Sequence, residues 1–134
     1  MNFKRLSKAI LDWQVGCGRT RLHFHLQRFG RDLTGWLEGG ESHIGAVAAA
    51  FVLKNGRVQV RTLTLPGHRE GAIARALAVQ VARRWNCSCS VVCGIHLDAI
   101  TRREIATVLR RVRKICKRIK TVDPADPKIT AAGS

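Results

Sequence analysis

From Arg19 the chain alternates with a period of two. Leu22, Phe24 and Leu26 are apolar, while Arg21, His23, His25 and Gln27 are polar. That is the pattern of a strand with one face buried and the other in water. Gly30-Arg31-Asp32 reads as a turn into a second strand over 33–38, completing a hairpin. After Gly39-Gly40-Glu41-Ser42, residues 44–53 are apolar on both parities, so as a strand they are expected to be covered on both faces. The alanines in that run leave room for a helix to approach closely. Asn55-Gly56 is a hairpin signal, and Val58, Val60, Leu63 and Leu65 continue as the returning strand until Pro66-Gly67 stops it.

The period then changes. Ile73, Leu77 and Val81, with alanines between them, predict a helix over 69–85, and 90–95 is a short apolar strand. Thr101 and Glu104 have the spacing of a capping box. Beyond them Ile105, Val108, Leu109, Val112, Ile115 and Ile119 form one apolar helical stripe. At the start, Phe3, Leu6, Ile10 and Trp13 fall at spacings of 3, 4 and 3, which predicts a leading helix within 1–15. The order (α)ββββαβα points to a two-layer α+β domain over 1–122, an antiparallel sheet with helices packed on one face. Residues 123–134, polar and holding two prolines, are expected to be a disordered tail.

Composition narrows the function classes. The 134 residues suit one domain with one core. No apolar run is long enough to cross a membrane, and 1–15 lacks the apolar block of a signal peptide. Five cysteines do not suggest a disulfide framework, so reduced thiols and a cytoplasmic location are expected. Cys87, Cys89 and Cys93 are spaced C-x-C-x-x-x-C, unlike a zinc site, and read as small buried hydrophobes. No nucleophile elbow, phosphate-binding loop or metalloprotease pattern occurs. Gly16-Cys17-Gly18 lacks the further glycine of a dinucleotide fingerprint.

Three histidines lie at the ends of elements, each near glycine: His43 before Gly45, His68 after Gly67, and His96 after Gly94. Glu70 and Asp98 each follow a histidine by two residues. Neutral imidazole binds transition metals, and a nearby carboxylate can ligate or orient it. If the last strand joins the same sheet, strand ends can bring these histidines together. Otherwise each one caps a loop or faces solvent. His23 and His25, on the polar parity of a strand, read as part of a solvated face.

Lys and Arg number 24 against 9 Asp and Glu, a formal net charge of +15. Nine of the cations fall between 102 and 120. Such a helix attracts nucleic acid or an acidic protein surface, but the stacking aromatics of a dedicated nucleic-acid module are missing. A nucleic-acid-binding module using helix 101–120 therefore stands as an alternative. A small metal-dependent enzyme built on the histidines ranks behind it, because no general base or nucleophile accompanies them.

The segments Ser42-His43-Ile44-Gly45-Ala46-Val47, Leu65-Pro66-Gly67-His68-Arg69-Glu70-Gly71 and Gly94-Ile95-His96-Leu97-Asp98-Ala99-Ile100-Thr101-Arg102-Arg103-Glu104-Ile105 resemble the LpdD-like family. These are small proteins encoded beside UbiD-type hydroxyarylic acid decarboxylases, and the resemblance runs from about Arg19 to Ile119. It implies a non-catalytic prenylated-flavin chaperone that binds reduced prenylated FMN and delivers it to, or maintains it for, a UbiD-type decarboxylase subunit. It also implies a divalent metal such as Fe, Mn or Zn held by His43, His68 and His96. The cofactor-binding set would be His43, Gly45, Gly67, His68, Arg69, Glu70, His96 and Asp98. The implied fold resembles proteasome-assembly-chaperone domains, which often form homodimers. Two features depart from the pattern: the basic last helix exceeds what the role requires, and Ala99 stands where a polar residue is usual.

Overall fold

The computed structural model describes residues 9–126. Strand β1 is Ala9–Val15, and a single 3-10 turn, Gly18–Thr20, leads to β2, Leu22–Phe29, and β3, Asp32–Gly40. Next come β4, Ala46–Val52, β5, Val58–Thr64, and helix α1, Gly71–Trp85. Strand β6, Cys89–His96, and helix α2, Arg102–Thr121, complete the chain. The six strands form one sheet in the order β1-β2-β3-β6-β4-β5. Neighbours are antiparallel except β3 and β6, which run parallel.

The protein is therefore α+β with both helices on one face, but its sheet is mixed rather than wholly antiparallel. The reason is topological. The β2–β3 and β4–β5 hairpins fold locally, at Gly30 (φ +61°) and Gly56 (φ +84°). Each hairpin leaves an unpaired edge, and β6, returning after α1, fills the gap between β3 and β4. Pairing both edges at once satisfies two rows of backbone groups, and because β3 and β4 run in opposite directions one of the two pairings must be parallel.

The leading-helix expectation also changes. Residues 9–15 are a strand, and Phe3 and Leu6 lie outside the described residues. Leu11, Trp13 and Val15 fit period two, while Ile10 and Trp13 fit the helical spacing, and a register shift between Ala9 and Leu11 sets Ile10 outside the alternation. Pairing with the free edge of β2 decides between them, as tertiary context does for short segments of weak preference. Residues 127–134 of the expected tail are likewise outside the described residues.

One face of the sheet carries the core. Leu22, Phe24, Leu26, Leu37, Val91 and Cys93 lie under the helices and are buried, as are Leu77 and Val81 of α1 and Ile115 and Ile119 of α2. Ala46, Ala48 and Ala50 of β4 lie beneath α1, together with its own Ala74, Ala78 and Ala82. Small residues on both sides bring helix and sheet close, as the alanine run suggested. The capping box of α2 forms: the Thr101 hydroxyl accepts from the Glu104 N–H, and the Glu104 carboxylate accepts from the Thr101 N–H, both at 3.1 Å. Ile105 and Leu109 stay exposed, so the buried stripe is narrower than the apolar one.

The opposite face is open to solvent. It presents Asp12, His23, His25, Trp36, Glu38, Val47, Ala49, Phe51 and Val92. Thus the second apolar parity of β4 is not covered, contrary to its periodicity: Ala49 and Phe51 are exposed.

Candidate functional site

At one end of the sheet three loops are stitched together by backbone hydrogen bonds. Gly45 donates to the Cys93 carbonyl (2.9 Å), Leu65 to that of Gly45 (2.9 Å), and Glu41 to that of His96 (3.0 Å). His68 lies in the β5–α1 turn, where its N–H donates to Leu65 at 3.1 Å. The three histidines of the sequence motifs meet here. The ring centroids of His43 and His68 are 4.9 Å apart, and those of His43 and His96 are 5.9 Å apart at a right angle.

Glu70 sits at the centre. It is 8% exposed, the one buried charged residue among those described. Its carboxylate accepts the Arg69 N–H at 3.1 Å and the Ile95 N–H at 3.4 Å. His43 Nε2 lies 3.3 Å from one of its oxygens, and His68 Nδ1 lies 3.6 Å from the other. Glycines make this possible. A Cβ on Gly45 would run into the Glu70 carboxylate, and one on Gly94 would run into the His43 carbonyl. Gly67 plays a different part: its φ of +78° shapes the turn, and the space around it is open. Arg69 is exposed.

His43 is oriented by a backbone contact. Its Nδ1 lies 3.1 Å from the Glu41 carbonyl. A carbonyl only accepts, so Nδ1 carries the proton, and in the neutral ring Nε2 presents a lone pair. That buried Nε2 has no hydrogen-bond partner, although it lies close to Glu70. A lone pair facing a carboxylate is repulsive unless a cation or a proton lies between them. The ligand atoms of His43, His68 and Glu70 all fall within 4.8 Å of one another, which suits one metal ion. His96 stands beside this set rather than in it. Its Nε2 pairs with the exposed Asp98 at 3.1 Å, and its side chain is 52% exposed.

A shallow cavity of about 350 Å³ adjoins His43, lined by Trp36, Leu37, Glu38, Ser42, Ile44 and Val92. A larger one, about 690 Å³, opens at the far end of the sheet around Asp32, Trp85 and Cys87. No group of metal-ligating side chains lies there among the described residues. Size therefore does not mark the site.

The remaining candidates separate cleanly. All five cysteines are free. Burial pushes the Cys89 and Cys93 thiols up to about 12, with the Glu70 charge adding to the effect at Cys93. They are protonated packing groups, not nucleophiles. On α2, Arg111 donates to the carbonyl and hydroxyl of Thr20, both at 2.5 Å, and Arg118 lies 4.5 Å above the Trp13 ring. Two of its nine cations thus fasten the helix to the β1–β2 region.

Chain comparison decides the family. A model of the prenylated flavin chaperone LpdD-like domain matches residues 16–122. The chain belongs to the LpdD-like prenylated flavin chaperone family. No curated protein matches it. Among solved structures, it is similar to a chain in a chaperone complex for yeast 20S proteasome assembly. Identity there is 17%, the TM-score is 0.56, and the match covers 85% of this chain and 95% of that one. At that identity the likeness establishes the fold alone. Among the described residues no helix is long and apolar enough to cross a membrane.

The structure also joins His23 and His25, which the alternation places on a solvated face, with two carboxylates from neighbouring strands. Asp12 pairs with His25 across β1–β2, and His23 with Glu38 across β2–β3, which places two histidines and two carboxylates together. Burial draws the His23 pKa down, but hydrogen bonds to Asp12 and Glu38 outweigh it and leave the pKa raised. The His-x-His spacing was visible in the sequence, but the position of Asp12 opposite it required β1 to be a strand.

Proposed function

We propose that this LpdD-like protein is a non-catalytic carrier of reduced prenylated FMN for a UbiD-type decarboxylase, with a divalent metal held by His43, His68 and Glu70. The observation that carries this reading is the unpartnered His43 Nε2 facing the buried Glu70 carboxylate. A metal ion there would neutralise Glu70 and take up the lone pairs of both imidazoles. Iron, manganese and zinc all accept this mixture of imidazole and carboxylate.

The apolar surface of Trp36, Ile44 and Val92 lies beside His43 and offers a flat bed for a fused ring system. Arg69 follows His68 directly and is exposed, so it can pair with a phosphate. His96 and Asp98, at the rim, would contact the cofactor rather than the ion. The bound flavin supplies the decarboxylation chemistry only within the partner enzyme; this chain binds, orients and protects it. The exposed cations of α2 provide a surface for an acidic partner.

Anaerobic equilibrium dialysis of reduced prenylated FMN, with and without Fe(II), Mn(II) or Zn(II), tests the reading. Saturable, metal-dependent binding that is lost in His43→Ala and His68→Ala supports it. Absence of saturable binding under every condition overturns it.

A further inference from the structure

We propose that Asp12, His23 and His25 form a second metal site, for a divalent ion of the zinc type, on the open face of the sheet. The site shares no ligand with the His43 cluster and does not depend on the role proposed for it.

Three side chains from two strands converge. His23 Nε2 is in contact with Asp12 Oδ1, and His25 Nδ1 lies 3.5 Å from the same oxygen. All the ligand atoms fall within 4.8 Å of one another. The strand pairing fixes this arrangement: Asp12 is directly opposite His25, and two residues along β2 His23 points to the same face.

The outer nitrogens are held as well. His23 Nδ1 lies 3.2 Å from Glu38 Oε1, and His25 Nε2 lies 3.1 Å from Gln27 Oε1. Both partners are acceptors, so each outer nitrogen carries the proton and each inner nitrogen can present its lone pair toward Asp12. Carboxylate or amide support behind a ligating histidine is the usual outer layer of a zinc site. His25 is further fixed by stacking on Trp36, with centroids 4.2 Å apart and planes 20° apart.

Two imidazoles and one carboxylate leave a fourth tetrahedral position free, and the 61% exposure of the Asp12 side chain opens that position to water or a ligand. The nitrogen-rich set disfavours calcium and magnesium. Glu38 also accepts the Ser42 hydroxyl at 3.2 Å, which links this site to the loop bearing His43.

The competing occupant is a proton: His23 charged between Asp12 and Glu38 would satisfy the same contacts without an ion. The test uses tag-free, full-length protein stripped with chelator and dialysed against micromolar Zn(II), with bound zinc counted. Asp12→Ala/His25→Ala is introduced into the wild type and into a His43→Ala/Glu70→Gln parent, so that failure of the first site leaves the count interpretable. The expected result is loss of one equivalent of zinc from either parent. An unchanged count in both overturns the proposal.

Should that double variant lose its fold, Asp12→Asn keeps the shape and removes the charge. The zinc-dependent rise in melting temperature of the His43→Ala/Glu70→Gln parent is then expected to shrink or vanish. A rise that survives intact overturns the proposal.

Discussion

Replacing Glu70 separates what holds the fold from what holds a ligand. The carboxylate accepts two backbone N–H groups, from Arg69 at 3.1 Å and Ile95 at 3.4 Å. A hydrogen bond to a charged group contributes roughly 1.5–3 kcal/mol. The first contact is at the long end of the usual range and the second lies beyond it, so no more than the lower figure applies to each. Glu70→Ala then costs about 3 kcal/mol. Glu70→Gln keeps one acceptor oxygen in the same place, and its neutral amide is easier to bury, so it costs about 1 kcal/mol.

For a domain of this size each kcal/mol moves the melting temperature by about 3–5 °C. Circular dichroism melts in chelator should therefore fall by about 3–5 °C for Gln and about 9–15 °C for Ala. Metal affinity should respond differently. Both variants remove the carboxylate that faces His43 and His68, the anionic member of the proposed ligand set. Since supporting residues alone are worth about 10–100-fold, both should lose at least about 100-fold in metal binding by equilibrium dialysis. Wild-type metal affinity in both variants, alongside the expected melts, would refute the reasoning. Glu70 would then serve only as an acceptor for two backbone amides.

Gly94→Ala places a methyl group against the His43 carbonyl; it should destabilise by about 1–3 kcal/mol and weaken metal binding by moving His43, read by melting and dialysis together. Ile115→Ala, at a fully buried position of α2, should cost about 2–5 kcal/mol in urea unfolding with little change in metal binding by the folded fraction. The Glu104 carboxyl is held down to about 2, first by the Arg19 guanidinium and then by the Thr101 N–H, against an ordinary value of 4.5. Its contribution is thus fully present above pH 4.5 and is lost as pH falls toward 2. Glu104→Gln should melt below wild type at neutral pH, and the gap should close as the pH is lowered across that window.

Much of the local structure was legible in the sequence. The alternation at Leu22, Phe24 and Leu26 marks β2, and all three are buried. Asn55-Gly56 turns the β4–β5 hairpin, and Thr101 with Glu104 caps α2. The histidine motifs pointed to a shared site, and their rings do meet. Less legible was the part of Glu70: its spacing from His68 suggested a supporting group, while its burial and contact with His43 come from the approach of three loops. The helical reading of 1–15 failed at Ala9–Val15 because Leu11, Trp13 and Val15 alternate while Ile10 and Trp13 keep helical spacing, and only the free edge of β2 distinguishes the two periods.

Neighbours along the chain set the element types of β2 to β6, α1 and α2, the turn positions, the helix cap, the basic face of α2 and the small residues beneath α1. Periodicity and backbone preference act over a few residues and need no knowledge of the rest. Tertiary structure alone decided that β6 enters between β3 and β4, that β1 joins as a strand, and that one face of the sheet stays bare. It also decided that Glu70 meets His43, and that Asp12 meets His23 and His25. Each of these depends on which strand edge is free when a distant segment arrives, and on the register that buries one face once it pairs. No local pattern encodes that choice.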